Sequence, residues 1–482
     1  MVMNAEELAT SMRIVDYFLK NNNALGQLSM AEGRDIMQMA SYTAAHCAEI
    51  GVKNKCYDIL YSCCYYLKEI DIKELWNIYW ILNVALFRYE GAQITGSLDE
   101  LYRLIYKKIE SSVTDTYERT DNSGSNLVVV VTNQVVTEAH APTRRVLDYS
   151  YAIATALHKR VMIINDASFH FYQCACLEQI YDPAYMSGYT DLKEITYKGL
   201  RIPFMQFPGY MPDLYGINEM LRQIYQMQPE LVYNISDSCL VSDLCRLFTK
   251  TACVPCSNNI PVTMSEYLLV GRELEDTDKE RLARLEPYQK VIETLTNYEL
   301  PETTIKYERT EFGISDDSFL IGIIGNRLDK EMTDEFILVM DKILNRLDVH
   351  FMVIGLIYDT KRIENGISKS ENLHFTGDLK EAVEALRLCN VYLNPKRMGG
   401  GRSSFEALAV GVPVITVGYG DVHYTCGDEF VVDSYDDYLE RINRYITDAD
   451  YYQAAREKSL KRAEELSDIP GTQRKVFEKI FG

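Results

Sequence analysis

Apolar residues fall along this chain in two rhythms, and the change from one to the other comes near residue 120. In the first part they recur every three or four positions: Leu8, Met12, Val15 and Leu19, then Leu75, Tyr79, Leu82 and Leu86. That spacing places each set on one face of a helix. Ser29 with Glu32, Asp71 with Glu74 and Ser97 with Glu100 have the spacing of capping boxes, in which a side chain satisfies amides orphaned at a helix start. No fixed repeat period is visible, so residues 1–120 are predicted to form an all-helical domain of the bundle type. Its aromatic residues (Tyr61, Tyr65, Tyr66, Trp76, Tyr79, Trp80) are expected in the core.

The polar run TDNSGS at 120–125 breaks the pattern. Beyond it, short uninterrupted apolar runs alternate with amphipathic stretches. NLVVVV (126–131) and RVMIIND (160–166) flank a helix expected from Arg144 to Leu157, which is a βαβ unit with strands buried on both faces. ELVYNIS (230–236) starts a further unit, and YKGLRIPFMQFPGYMPDL (197–214) reads as a less regular excursion containing a strand. A second alternating block begins with FLIGIIGN (319–326) and runs through VHFMVIG (349–355), LHFTG (373–377), VYLNP (391–395) and VPVITVG (412–418). The charged segment Glu273 to Glu299 is expected to bridge the two. The fold class is therefore α/β, with two Rossmann-like parallel-sheet domains (126–305 and 306–482) facing a cleft, preceded by the all-α domain.

Charge narrows the range of partners. With 70 acidic and 50 basic side chains, the net charge is −20, which repels nucleic acid and anionic membranes from the chain as a whole. No run of about 18 uncharged apolar residues is present, so no membrane span is expected. The start has no signal-peptide pattern, so a cytoplasmic enzyme is the expectation. Twelve cysteines sit at irregular spacings; Cys253 and Cys256 make a close pair with no second pair near them, so buried reduced thiols are expected and no metal.

The densest chemistry lies in NPKRMGGGRSSFEALAVGVPVIT (394–416). Three successive glycines cost conformational entropy and return no packing. The loop follows a strand and opens a helix, where unpaired amides and the positive end of the helix dipole suit a phosphate. Gly399, Gly400 and Gly401 would let an anion approach the backbone, and Ser403 and Ser404 add hydroxyls. Lys396, Arg397 and Arg402 supply positive charge, and Glu406 suits the two hydroxyls of a ribose. The alternative is a glycine-rich turn with a capping serine.

At these residues the chain resembles the donor-binding segment of nucleotide-sugar glycosyltransferases of the GT-B fold, and FTGDLKEAVEALRLCNVYLNP resembles the segment that precedes it there. The resemblance runs over roughly residues 126–465 and is strongest from Phe319 to Gly420. It implies that Gly399 to Ser404 hold a diphosphate, that Glu406 holds the ribose, and that Phe375 and Gly377 line the base pocket. Arg327 matches a phosphate-binding position; Lys330 departs from the family's R-x-x-x-x-K spacing. Many retaining members carry a second glutamate eight positions before the ribose-binding one, where this chain has Met398. An inverting transfer is therefore expected, and with it a general base. His140, in the loop after the first strand, is the candidate; otherwise it bonds only its own turn. Arg144 and Arg145 could meet a substrate anion, while His158 and His374 are expected to be structural.

The expected activity is transfer of a hexose or N-acetylhexosamine from a UDP-sugar to a protein (the added helical domain resembles bacterial enzymes that glycosylate adhesins) or to a polysaccharide. The UDP-sugar would be a co-substrate, and no metal or other cofactor is expected, because a helix dipole and basic side chains can neutralise a departing diphosphate. Two other readings are a non-catalytic glycosyltransferase-like scaffold and a nucleotide-sugar epimerase. A homo-oligomer or a partner glycosyltransferase stays open. An NAD enzyme does not fit, since no strand leads into G-x-G-x-x-G with an acidic residue about 20 positions on.

Overall fold

The structure is a computed structural model and describes residues 4–120, 122, 124–138, 140–168, 186–207 and 212–482. It divides into two compact units, Met1–Glu293 with Gln473–Gly482, and Thr294–Thr472. The division falls after Glu293, where the sequence placed it at 305, and the last residues belong to the first unit.

The first unit begins with the expected helices, among them Ala5–Lys20, Met30–His46, Ile50–Tyr66, Ile72–Arg88 and Leu98–Glu110. Asn4, Ser29 and Asp71 close full capping boxes; Ser97 accepts only from the Asp99 amide, so the third box expected from sequence is a simple cap. An eight-stranded sheet follows: β1 (Leu127–Thr132), β2 (Arg160–Asn165), β3 (Glu194–Tyr197), β4 (Leu200–Gln206), β5 (Leu231–Ile235), β6 (Lys250–Val254), β7 (Tyr267–Val270) and β8 (Lys290–Glu293). Their order is β3-β4-β2-β1-β5-β6-β7-β8, parallel except for the β3–β4 pair. The excursion near residue 200 is this antiparallel edge; its segment 208–211 lies outside the described residues. Helices and sheet share one core, in which Trp76, Tyr79, Trp80 and Tyr102 pack in one cluster with Val129, Val131, Ile164 and Val232. Burying Val/Ile-rich strands on both faces is what makes their runs uninterrupted in sequence.

The second unit carries β9 (Phe319–Ile324), β10 (Val349–Ile354), β11 (Leu373–Gly377), β12 (Val391–Leu393), β13 (Val414–Val417) and β14 (Val431–Val432). All are parallel, in the order β11-β10-β9-β12-β13-β14. Alternate residues of β9 go to opposite faces: Ile321 and Ile323 into one core with Met340 and Phe351, Leu320 and Ile324 into another with Phe405 and Tyr392.

Candidate functional site

From β9 the second sheet grows outward through β10 to β11, and the chain then returns to the other side of β9 as β12. Where strand order reverses in this way, the loops leaving adjacent carboxyl ends diverge and leave a crevice for a ligand. The reversal lies between β9 and β12. The segment after β9 carries Arg327 and, on a short helix, Lys330; the one after β12 carries Lys396, Gly399 and Gly400 and enters a helix at Gly401; Phe375 and Gly377 end β11. The donor residues expected from the sequence thus lie at the carboxyl ends of β9, of its neighbour β12, and of β11 beyond β10.

The helix after β12 runs Gly401–Ala409, and its N-cap, Gly400, sits at φ 99°, a conformation that disfavours any side chain. Gly400 offers no side-chain cap, and the first helical bond is from the Ser404 amide to its carbonyl (3.0 Å). The two serines, expected to add donors, give their hydroxyls to the helix: Ser403 Oγ to Gly400 O (2.9 Å) and buried Ser404 Oγ to Gly401 O (2.8 Å). What faces the crevice is therefore a first turn without a side-chain cap, at the positive end of a helix. Arg402 donates through Nε to Glu406 Oε1 (3.0 Å) and through Nη2 to Glu299 O (3.0 Å), so the expected ribose-binding carboxylate carries an ion pair.

Arg397 does not supply charge to the crevice as the sequence suggested. It is buried, with Nε on Asn394 Oδ1 (2.8 Å), Nη2 on Ile324 O (2.9 Å) and Tyr392 Oη (2.6 Å), and Nη1 on Glu331 Oε2 (2.6 Å). Gly325 and Gly400 make room for it, since a Cβ on either would lie 2.6 and 2.8 Å from its guanidinium. The other oxygen of Glu331 accepts from Arg327 Nε (3.1 Å). Burial pushes the Glu331 carboxyl up, but the charges of Arg397 and Arg327 outweigh it and hold the group below the usual range. Lys396 lies with Nζ 5.2 Å from the Tyr419 ring centre, and its amide donates to Tyr435 Oη (2.6 Å). Lys330 is exposed on the short helix Leu328–Glu331, and the next residue but one, Met332, is fully buried. Sequence reading missed Glu331, whose signal was its i,i+4 spacing from Arg327.

In the first unit, His140 is the N-cap residue of the helix Ala141–Ala156, which starts earlier than expected because Pro142 suits its first turn. Its Nδ1 lies 3.2 Å from Thr143 Oγ1, within its own turn. Arg144 bonds Glu138 O and Tyr197 Oη, and Arg145 is buried on Pro255 O (2.6 Å). His158 lies past the helix end at φ 54°, and His374 is on β11, with Nε2 2.9 Å from His350 Nδ1. Among the described residues no group of three His, Cys, Asp or Glu could hold a metal. Cys253 is buried against Asn234 and Ser236; Cys174 and Cys176 lie outside the described residues. No helix among the described residues is long and apolar enough to cross a membrane.

The sequence model described as "Glycosyl transferases group 1" matches residues 304–462. Among solved structures, Anabaena HepE in complex with UDP and glucose superposes with a TM-score of 0.51 at 13% identity, covering 73% of this chain and 98% of that one. HepE in complex with UDP gives 0.52 at 11% identity, with the same coverage. These likenesses show the fold, that of the GT-B transferases. No curated protein sequence matches the chain significantly.

Proposed function

We propose that this glycosyltransferase, with the GT-B fold and a group 1 domain over residues 304–462, takes a hexose or N-acetylhexosamine from a UDP-sugar and passes it to a protein or a polysaccharide. The observation that carries the donor half is the helix Gly401–Ala409, which starts on a glycine without a side-chain cap at the point where strand order reverses. A diphosphate there would accept from first-turn amides and meet Arg327 and Lys396, and it would leave with its charge offset by dipole and side chains and no metal. UDP is the nucleotide to try first because the HepE structures hold it.

Transfer with inversion is the reading that Met398 supports, since the second glutamate of many retaining relatives is missing. The acceptor's proton then goes to a base, and His140 is the residue we assign. When Nδ1–H is given to Thr143, Nε2 is the basic nitrogen. Location in the cytoplasm, with a protein acceptor before a glycan, completes the proposal.

Calorimetric titration with UDP, UDP-glucose, UDP-GlcNAc and GDP tests the donor half. One UDP-sugar should bind, and Glu406→Ala should weaken it at least tenfold. Absence of binding by any nucleotide would overturn the reading. His140→Gln should leave that binding in place and lower kcat by about 10²- to 10⁴-fold. Unchanged turnover would remove His140 from the mechanism. The anomeric configuration of the product, read by NMR, decides between inversion and retention.

A further inference from the structure

Arg327 and Arg397 stand on different loops, and one carboxylate joins them. Glu331 Oε2 accepts from Arg397 Nη1 at 2.6 Å, and Oε1 accepts from Arg327 Nε at 3.1 Å and lies 3.0 Å from its Nη2. The three side chains differ sharply in exposure: Arg397 4%, Glu331 12%, Arg327 37%. The chain of charges thus runs from the interior to a partly exposed arginine that follows β9. At its inner end Arg397 also ties the last residue of β9 (Ile324 O) to the end of β12 (Tyr392 Oη, Asn394 Oδ1). A guanidinium is suited to this, since its five donors point along fixed directions in a plane.

We infer that Glu331 and Arg397 are positioning residues of the donor site: Arg397 holds the loops after β9 and β12 in register, and Glu331, anchored on it, aims Arg327 at a diphosphate seated on the first turn of the helix Gly401–Ala409. The inference rests on the donor reading above. Neither residue touches the nucleotide; Glu331 acts through Arg327, and Arg397 through the loops it joins.

The geometry separates this role from a merely structural one. A buried ion pair placed for stability alone would need only Arg397 and Glu331. Here the carboxylate is divided, and its second oxygen serves an arginine that is over a third exposed, which a buried pair does not require. Charge also points the same way. With Glu331 neutral, Arg327 keeps its cation but loses the partner that fixes its orientation. The consequence should therefore scale with the phosphate content of the ligand, because only phosphates meet Arg327.

The experiment measures affinities of UDP, UMP and uridine by calorimetry for wild type, Glu331→Gln, Arg327→Ala and the double variant, each checked for a cooperative thermal transition. Glu331→Gln is expected to weaken UDP about tenfold with uridine affinity unchanged and UMP affected less than UDP. Added to Arg327→Ala it should cost nothing further, since its effect passes through that residue. Equal losses for all three ligands, or losses that add in the double variant, would overturn the inference while leaving the donor site intact. If wild type binds no UDP, the donor reading itself falls and this inference falls with it. Should Glu331→Gln fail to fold, Glu331→Asp replaces it: the charge stays for Arg397, but a side chain shorter by one methylene cannot reach both arginines. That variant must then show the same selective loss for UDP, and uniform affinities would refute the proposal.

Discussion

At the scale of single residues, two positions in this chain carry costs that make their roles measurable. Gly400 sits at φ 99° with its missing Cβ aimed at the Arg397 guanidinium, 2.8 Å from Nε. Gly400→Ala therefore meets both a backbone penalty and a clash with a buried charge, and about 2–4 kcal/mol of stability should be lost. Urea unfolding of the variant should show the loss with the dependence on denaturant unchanged, and UDP binding should go with it. Asp166 is the second. It is fully buried after β2, where burial pushes its carboxyl up to about 6, against the pull of the Ser168 amide and the Cys239 thiol. An acid with a raised folded pKa binds more protons folded than unfolded, so its cost is absent below about pH 4 and complete above about pH 6. Asp166→Asn has no such term. The stability of the variant relative to wild type should rise between pH 4 and 7 by up to about 3 kcal/mol, since one pKa step is worth about 1.4 kcal/mol. A difference that stays flat over that range would show Asp166 to titrate normally.

Elements were the part of this structure most legible in the sequence, and the reason is local. Runs such as LVVVV and FLIGII announce strands because both faces of a parallel sheet are covered, and Ile321 and Leu320 do go to opposite cores. The donor loop was legible for a similar reason: glycine, charge and helix onset are neighbours along the chain. Arg397 was not, because its inward turn depends on Ile324 O, Glu331 and Gly325, brought from elsewhere by the sheet. Nor was the return of Gln473–Gly482 to the first unit, where Tyr233 Oη donates to Gln473 Oε1 at 3.0 Å across 240 positions of sequence. Caps sit between these cases. Asp71 accepts from the amides of Lys73 and Glu74 while Glu74 reaches back, so Asp71→Ala should cost about 1 kcal/mol. Ser97 accepts from one amide only, and Ser97→Ala should cost less. The two midpoints in urea, compared at a common slope, check the order.

On the scale of the molecule, the helical segment expected to be a separate domain shares a core with the first sheet. Trp76 Nε1 donates to Ser168 O (2.9 Å) just beyond β2, Tyr79 bonds Ser238 just beyond β5, and Tyr102 Oη donates to Asp243 (2.6 Å). Asp243 is fully buried and takes three further bonds, from Thr263, Met264 and Ser265, so its carboxylate depends on donors from two parts of the chain. Burial alone pushes it towards neutrality, and those donors oppose that. Tyr102→Phe removes one of them without opening a large cavity, and about 1–3 kcal/mol should be lost, the penalty for an acceptor left short in the interior. Removing residues 4–117 should do more. It strips Trp76, Tyr79, Trp80 and Tyr102 from a core that includes Val129, Val131, Ile164 and Val232, and it exposes that apolar face of the first sheet to water. The shortened chain should go into the insoluble fraction, while Tyr102→Phe stays soluble and folds with a lowered midpoint. A soluble truncation with a cooperative thermal transition would mean that the sheet can close its own core, and that the helices were added to a unit already able to stand. The shared cluster argues the other way: the first sheet and the helical segment fold as one body, and an acceptor-side role for the helices has to be sought in substitutions on their surface, since deletion removes the sheet's own support.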